Sequence, residues 1–473
     1  MKKLKLFLEN FLIYGMGGVI SKMIPLIMVP IVTRIMPNSE YFGISDLCNT
    51  VLSFASAVAV LGMYDAMYRM FFERNELEYK KDICSTALIF TLGTSILVAI
   101  ILVIFRKNLA AIVFDDERYH YLVYIIAIET LVSATNQIIS APTRMQNKRK
   151  IFLITNTISP LLSYGVSIPL LLKGYYTIAL PVAGTIAGLT QGLIFFALNH
   201  RWFQGKRFNI KLLWKLLNIA IPLFPNFVVY WLFNSADKLM ITNLLGLDAA
   251  GVYSVGAKLG HASQLIRTAF GGGWQYFAFS TMHEEDQVKS NSMVFEYLGL
   301  ISFVCAMFVF ALAKPIYQLL FELEYVEGYI VSPYLFLAPL LQMLFQVIAN
   351  QFIVIEKTWP NVLILSVGVV VNIFLNIIFI PILGIEGAGI ATLTGYVVSD
   401  IICVFVLHRM ELMVISKRFI IMALGLVVYI IVWRLFIKEQ VYISVLFSVM
   451  FSAFFLWLYR KDIAILLKEI RNR

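Results

Sequence analysis

Stretches of about twenty apolar residues recur along the chain, each separated from the next by a short polar connection. At about 1.5 Å of rise per residue, each stretch is long enough to cross roughly 30 Å of hydrocarbon as a helix. The predicted spans cover residues 10 to 33, 42 to 68, 83 to 105, 119 to 140, 151 to 172, 177 to 198, 216 to 245, 251 to 279, 293 to 313, 330 to 352, 361 to 381, 387 to 408, 418 to 436 and 441 to 459. A membrane barrel needs alternating polar and apolar positions, whereas the run from Phe419 to Val432 has no charge and no alternation. The pattern predicts an all-α integral membrane protein with about fourteen transmembrane helices.

Composition narrows this further, because 60% of the residues are hydrophobic and only 14% charged. That is more apolar surface than one water-soluble core could hide, and it leaves no room for a soluble catalytic domain. The net charge of +10 does not point to nucleic acid, because the basic residues sit in loops and do not gather on one soluble face. Counted by alternate connections, roughly 26 Lys and Arg fall on one side and roughly 8 on the other, with about four inside spans. The richer side is predicted to be cytoplasmic, and an even number of spans puts both termini there. Lys2, Lys3 and Lys5 precede the first stretch as in a signal peptide. That stretch runs on to about Pro30 with no small-residue cleavage site, so it is read as the first span. Cys48, Cys84, Cys305 and Cys403 are far apart, without metal or redox spacing, and read as packing residues.

The sequence can also be laid over itself about the basic connection from His200 to Lys215. Met36 to Gly43 aligns with Leu244 to Gly251, and Ile168-Pro169-Leu170 aligns with Ile380-Pro381-Ile382 at nearly the same offset. An even number of spans separates the copies, so the repeat is parallel, about an axis along the membrane normal. The predicted organisation is a six-helix lobe over 1–199, a basic linker over 200–215, a second six-helix lobe over 216–409, and two extra helices with a tail over 410–473.

Ionisable groups at membrane depth cost about 2.5–3.5 kcal/mol each, so their positions carry functional information. Lys22 lies near the middle of span one. Glu129 lies near the middle of span four, with Ser133, Asn136 and Ser140 on the same helical face. Asp237 and Lys238 lie in span seven, and Lys258, His261, Gln264 and Arg267 in span eight. On a continuous helix Lys258, His261 and Gln264 share about 120° of arc, with Arg267 rotated to the far side. Asp400 joins Thr392 and Tyr396 on one face of span twelve. These stripes face either a cavity or another helix: Asp237 and Lys238 also suit a local cap or pair, and Asp65 and Arg69 an i, i+4 pair. No acidic residue sits one turn from Lys22 or Lys258 on its own helix, so an anionic cargo such as a phosphate fits them.

No motif for catalysis or a cofactor is present in the sequence. Gly271-Gly272-Gly273 lacks the strand-to-helix setting of a nucleotide fingerprint, and the five histidines are too dispersed for a metal site. The predicted activity is therefore transport, driven by an ion gradient, the membrane potential or the cargo's own gradient.

Several segments resemble the polysaccharide flippases of the multidrug/oligosaccharidyl-lipid/polysaccharide exporter superfamily. They are Pro30 to Arg34 with Glu40 to Gly43, Asp237-Lys238-Leu239 with Gly251 to Ser254, Asn372 to Asn376 running to Pro381, and Gly384 to Gly389. The resemblance implies two six-helix lobes around a cavity, alternating access, and a bacterial cytoplasmic membrane. It implies an undecaprenyl-diphosphate-linked oligosaccharide as cargo, with glycan polymerase machinery as a further partner. It also implies that Lys22 and Lys258, with Arg267 as a third, engage the diphosphate, although lysine stands where arginine is more usual. Glu129, Asp237, His261 and Asp400 are then candidates for coupling or for the cavity wall. The competing readings are a cation-coupled multidrug exporter, which favours acidic and aromatic walls, and a peptidoglycan-precursor flippase. A membrane-embedded glycan polymerase needs a long outer loop, and the acidic connection from Glu322 to Glu327 is short.

Overall fold

The protein is described here by a computed structural model covering residues 23–267, Phe270, Trp274, Ala278, 286–355, Lys357 and 359–464. Among these residues the ordered elements are all helical. Twelve helices are long and apolar enough to cross a membrane, and a shorter apolar helix, α1, covers Met23–Ile35. The two remaining predicted spans, 10 to 33 and 251 to 279, fall partly on residues outside the described set, so the count agrees with about fourteen.

The chain divides into two compact units, one holding the described residues up to Ser254 with Ile380–Ile385, the other Val255–Phe379 and the residues from Glu386 onward. In the first unit the elements after α1 are α2 (Glu40–Val60), α3 (Met63–Phe71), α4 (Leu77–Ile104), α5 (Arg106–Phe114), α6 (His120–Met145), α7 (Arg149–Leu172), α8 (Ala179–Asn199), α9 (Ile210–Ala220) and α10 (Phe224–Leu245). The division falls within α11 (Leu247–Gly260). The second unit holds α12 (Gln287–Leu320), α13 (Ser332–Val354), most of α14 (Trp359–Leu383), α15 (Ile385–Arg409), α16 (Lys417–Val432) and α17 (Val441–Leu458).

Three predicted spans prove to be interrupted. The span from 42 to 68 is two helices, because Leu61 and Gly62 both adopt left-handed backbone, with φ of 48° and 72°. Gly62 also admits the end of α9, since a Cβ there would meet the Ala220 carbonyl oxygen at 2.7 Å. The span from 216 to 245 starts earlier, as the amphipathic α9, which is capped by Asn209 and buries Leu212, Leu213, Leu216 and Leu217. Trp214 and Lys215 face outward, and Pro222 and Pro225 then break the path through a 3₁₀ turn at Ile221–Leu223 into α10. In span eight, α11 gives way to three-residue turns, with Ala262 N–H donating to Leu259 O at 3.0 Å and Gln264 N–H to His261 O at 2.9 Å. Side chains three apart eclipse in such turns, so the even 100° spacing on which the expected arc rests is broken at His261 and Ala262 before the helix resumes at Ser263.

In the first unit, α2 and α11 approach closely at the aligned repeat segments. A Cβ on Gly43 would meet Leu247 O at 2.6 Å and Gly251 N at 2.9 Å, while a Cβ on Gly251 would overlap the carbonyl oxygen of Ser39. Because the alignment pairs Gly43 with Gly251 and Ser39 with Leu247, each copy touches the counterpart of what touches it, as a two-fold relation requires. Asp248 reinforces the crossing, accepting from Ser39 Oγ at 3.2 Å and from the α2 backbone at Glu40 N at 3.0 Å.

In the second unit, the two C-terminal helices are anchored through polar groups in three places. Glu386 accepts from Tyr334 Oη at 3.0 Å and Arg434 Nε at 2.9 Å. Glu439, in the connection between α16 and α17, pairs with Lys314 and accepts from Tyr329 Oη at 2.7 Å. Glu296 accepts from Ser416 N at 2.8 Å, Ser416 Oγ at 2.7 Å and Tyr459 Oη at 3.0 Å.

Candidate functional site

The site begins with glycines on α8. Gly184, Gly188 and Gly192 recur every fourth residue and so line one face of the helix. A Cβ on Gly184 would meet Glu129 Oε1 at 2.6 Å, one on Gly188 would meet Val132 Cγ1 at 3.1 Å, and one on Gly192 would overlap Asn136 Oδ1. The bare α8 backbone therefore seats the polar face of α6 directly. Asn136 Nδ2 donates to Gly188 O at 2.7 Å, and Thr185 Oγ1 donates to its own helix at Pro181 O, 3.0 Å away.

A third wall comes from α7, whose helix carries Pro160 and Pro169. Gln191 Nε2 donates to Asn156 Oδ1 at 3.0 Å, and Asn156 Nδ2 donates to its own helix at Phe152 O, 2.9 Å away. At the far end of α6, Arg144 donates to Tyr64 Oη at 3.1 Å and lies 5.8 Å from the Phe152 ring centre.

These groups enclose a cavity of about 500 Å³. Its wall also includes Ser133, Gln137, Ser159 and Ser163, whose side chains make no hydrogen bond with another described residue. Among the described residues the charge lining it is one carboxylate and one guanidinium; the remaining polar side chains are amides and hydroxyls. Glu129 lies fifteen residues before Arg144, so about 22 Å of helix separates them and the cavity is elongated along α6.

The four-residue face predicted on span four, Glu129, Ser133, Asn136 and Ser140, lines this cavity intact. Lys22 lies outside the described residues. Lys258, His261 and Arg267 lie in the second unit. Lys258 and His261 are half-buried and engaged in contacts there, while Arg267 has a buried Nε with no hydrogen-bond partner among the described residues. Asp400, on α15 in the second unit, likewise has a buried Oδ1 without a partner among the described residues. Its expected companion Thr392 accepts from Asn372 Nδ2 at 3.1 Å, so that part of the stripe packs against α14.

The expected local pairing of Asp237 with Lys238 gives way to partners on other helices. Neighbours in sequence point about 100° apart on a helix, and each residue reaches a different element. Lys238 pairs with Asp46 of α2 at 2.5 Å, Ser254 Oγ donates to the same carboxylate at 2.9 Å, and Tyr253 Oη donates to Asp237 at 2.6 Å. Asp237-Lys238 and Tyr253-Ser254 thus form one clamp joining α2, α10 and α11. The α8 glycines, Gln191, Asn156, Arg144 and Tyr64 were not picked out from the sequence. The signal available for them was the four-residue glycine spacing, which marks close helix packing.

Among the described residues, no group of three His, Cys, Asp or Glu side chains is placed to hold a metal ion. A family model described as a polysaccharide biosynthesis protein matches residues 31–328. No curated protein matches the chain. Among solved structures, the chain is similar to a lipid II flippase, MurJ, in an inward closed conformation, with 16% identity and a TM-score of 0.68 over 97% of this chain and 99% of that one. It is also similar to an inward-facing multidrug resistance MATE transporter of the MOP superfamily, with 13% identity and a TM-score of 0.62 over 83% of this chain and 98% of that one. A MOP superfamily transporter from Pyrococcus furiosus with a binding pocket of reverse polarity matches with 14% identity and a TM-score of 0.60 over 86% of this chain and 95% of that one. At these identities the likeness to solved structures is one of fold. With the family model covering well over half its length, the chain belongs to the polysaccharide biosynthesis protein family, on the fold of the MOP superfamily.

Proposed function

We propose that the protein is a flippase that moves undecaprenyl-diphosphate-linked oligosaccharide repeat units from the cytoplasmic to the outer leaflet for cell-surface polysaccharide biosynthesis. The observation that carries this reading is the polysaccharide family match over residues 31–328 on a transporter fold. In this reading the chain lies in a bacterial cytoplasmic membrane with both termini inside, and residues 1–199 and 216–409 are the two lobes of an alternating-access cycle. Lys22, Lys258 and Arg267 hold the diphosphate, while Glu129, Asp237, His261 and Asp400 are the groups available for coupling or cavity polarity. Outward movement of the negatively charged carrier is favoured by an inside-negative potential, by roughly 2.3 kcal/mol per elementary charge per 100 mV.

The test is translocation of a fluorescent undecaprenyl-diphosphate oligosaccharide in proteoliposomes, comparing wild type with Lys22→Ala and Lys258→Ala at matched protein levels. Flipping by the wild type, lost in both variants, supports the reading. Unchanged flipping in the variants makes the lysines structural. A wild type that ignores this lipid but moves drug cations, or moves the peptidoglycan precursor alone, replaces the proposal with one of the competing transport activities.

A further inference from the structure

The cavity between α6, α7 and α8 lies within the first unit, and its chemistry differs from that of the cations assigned above to the diphosphate. A diphosphate needs several converging cations, but Arg144 is the one cation among the described residues lining this cavity. A cationic drug would favour several acidic groups among broad aromatic walls, yet a single carboxylate lines the cavity among the described residues. What the wall offers in quantity is amides and hydroxyls, groups that donate and accept at once. Sugar hydroxyls have the same dual character and pair with them without leaving a buried group unsatisfied.

Two further features fit a sugar chain. The cavity of about 500 Å³ falls within the range of about 300–1,000 Å³ usual for small-molecule sites, and Phe152, Phe195 and Tyr64 supply ring surface for the C–H faces of a pyranose. It runs along α6 from the middle of the helix to Arg144, which opens the basic connection 144–150. That connection is on the side predicted to be cytoplasmic, where the proposed cargo begins its passage.

We infer that this cavity is a glycan subsite, holding one or more sugar residues of the cargo through Gln137, Asn156, Ser159, Ser163 and Gln191 while the diphosphate is held elsewhere. This inference rests on the flippase reading. It separates the two ends of the cargo: the cations bind the carrier's charge, and the α6–α8 cavity selects the sugar.

The experiment measures binding of the delipidated, dephosphorylated oligosaccharide, released by mild acid from the host's own lipid-linked repeat unit, to the purified full-length protein. Calorimetry and thermal shift would be run on wild type, Gln137→Ala, Ser163→Ala and Lys258→Ala, with flipping of the intact lipid measured in parallel. Gln137 and Ser163 hold no other described side chain in place, so their replacement leaves the fold intact. The expected result is sugar binding by the wild type, about ten-fold weaker in Gln137→Ala and Ser163→Ala, in line with the loss of about one hydrogen bond. Lys258→Ala should bind the free sugar as the wild type does. Flipping of the intact lipid without binding of the free sugar overturns the subsite and spares the flippase. A thermal shift with sodium alone, abolished in Glu129→Gln and unmoved by sugar, makes the cavity a cation site and likewise overturns the inference. Sugar binding with no flipping of the lipid overturns the flippase reading and leaves the cavity a sugar site.

Discussion

Gly251 and Gly43 are glycines because each faces a neighbouring backbone, not a side chain that can move aside. A methyl group on Gly251 would have to displace the carbonyl of Ser39, and overpacking of this kind costs about 1–3 kcal/mol. Gly251→Ala should therefore lower the melting temperature of the detergent-solubilised protein, whereas Gly93→Ala, at a position open to added bulk, should not. Equal melting temperatures for the two variants would refute the close-packing account. The Asp46–Lys238 pair is a second residue-scale case, with side chains only 3% and 15% exposed. Removing one partner of a buried pair strands the other, at about 3–5 kcal/mol, so Asp46→Asn and Lys238→Met should each destabilise strongly. The double variant should recover part of the loss in a double-mutant cycle of melting temperatures. Strict additivity would mean that the two residues do not act as a pair.

At the scale of elements, what could be read from the sequence depended on whether the information was local. Runs of twenty apolar residues are local, and they located the spans; the stripe from Glu129 to Ser140 needed only the helical period, and it lines the cavity. Tyr64, Arg144, Asn156 and Gln191 lie on four different helices, and their convergence depends on which helices pair. The breaks at Leu61-Gly62 and after Gly260 were missed because a leucine in left-handed backbone and a three-residue turn leave no hydropathy mark. The glycine face of α8 yields its own prediction. Gly192→Leu would push Asn136 aside, part α6 from α8 and reduce sugar binding several-fold. Gly165→Leu, in α7 with open space around it, should have no such effect. Glu439, between α16 and α17, makes the element scale pH-dependent. Hydrogen bonds from Lys314 and then Tyr329 hold its carboxyl below the ordinary value of 4.5. A lowered folded value means stability that is complete above 4.5 and fades as pH falls through the lowered value. The melting-temperature gap between wild type and Glu439→Gln should be full at about pH 6 and close in more acid solution. A gap unchanged down to about pH 3 would show that the ion pair contributes nothing.

For the whole molecule, the three polar anchors make α16 and α17 integral to the second unit. Ending the chain at Arg409 removes Arg434 from Glu386 and both Ser416 and Tyr459 from Glu296, leaving two buried carboxylates short of partners. At about 3–5 kcal/mol for each stranded charge, the shortened chain should lose its cooperative melting transition. Co-expression of residues 410–473 as a separate polypeptide should restore it, and full stability of the shortened chain alone would show that the anchors are dispensable.

The crossing of α2 and α11 has one more consequence, which concerns ancestry. A segment that meets its own copy about a two-fold axis presents the same contact that a half-length chain would make with an identical partner. Gly43 facing Gly43 across a homodimer would need the same absent side chain, so both glycines can descend from a single self-associating residue. Duplication and fusion of such a gene preserve the contact while freeing the copies to diverge elsewhere.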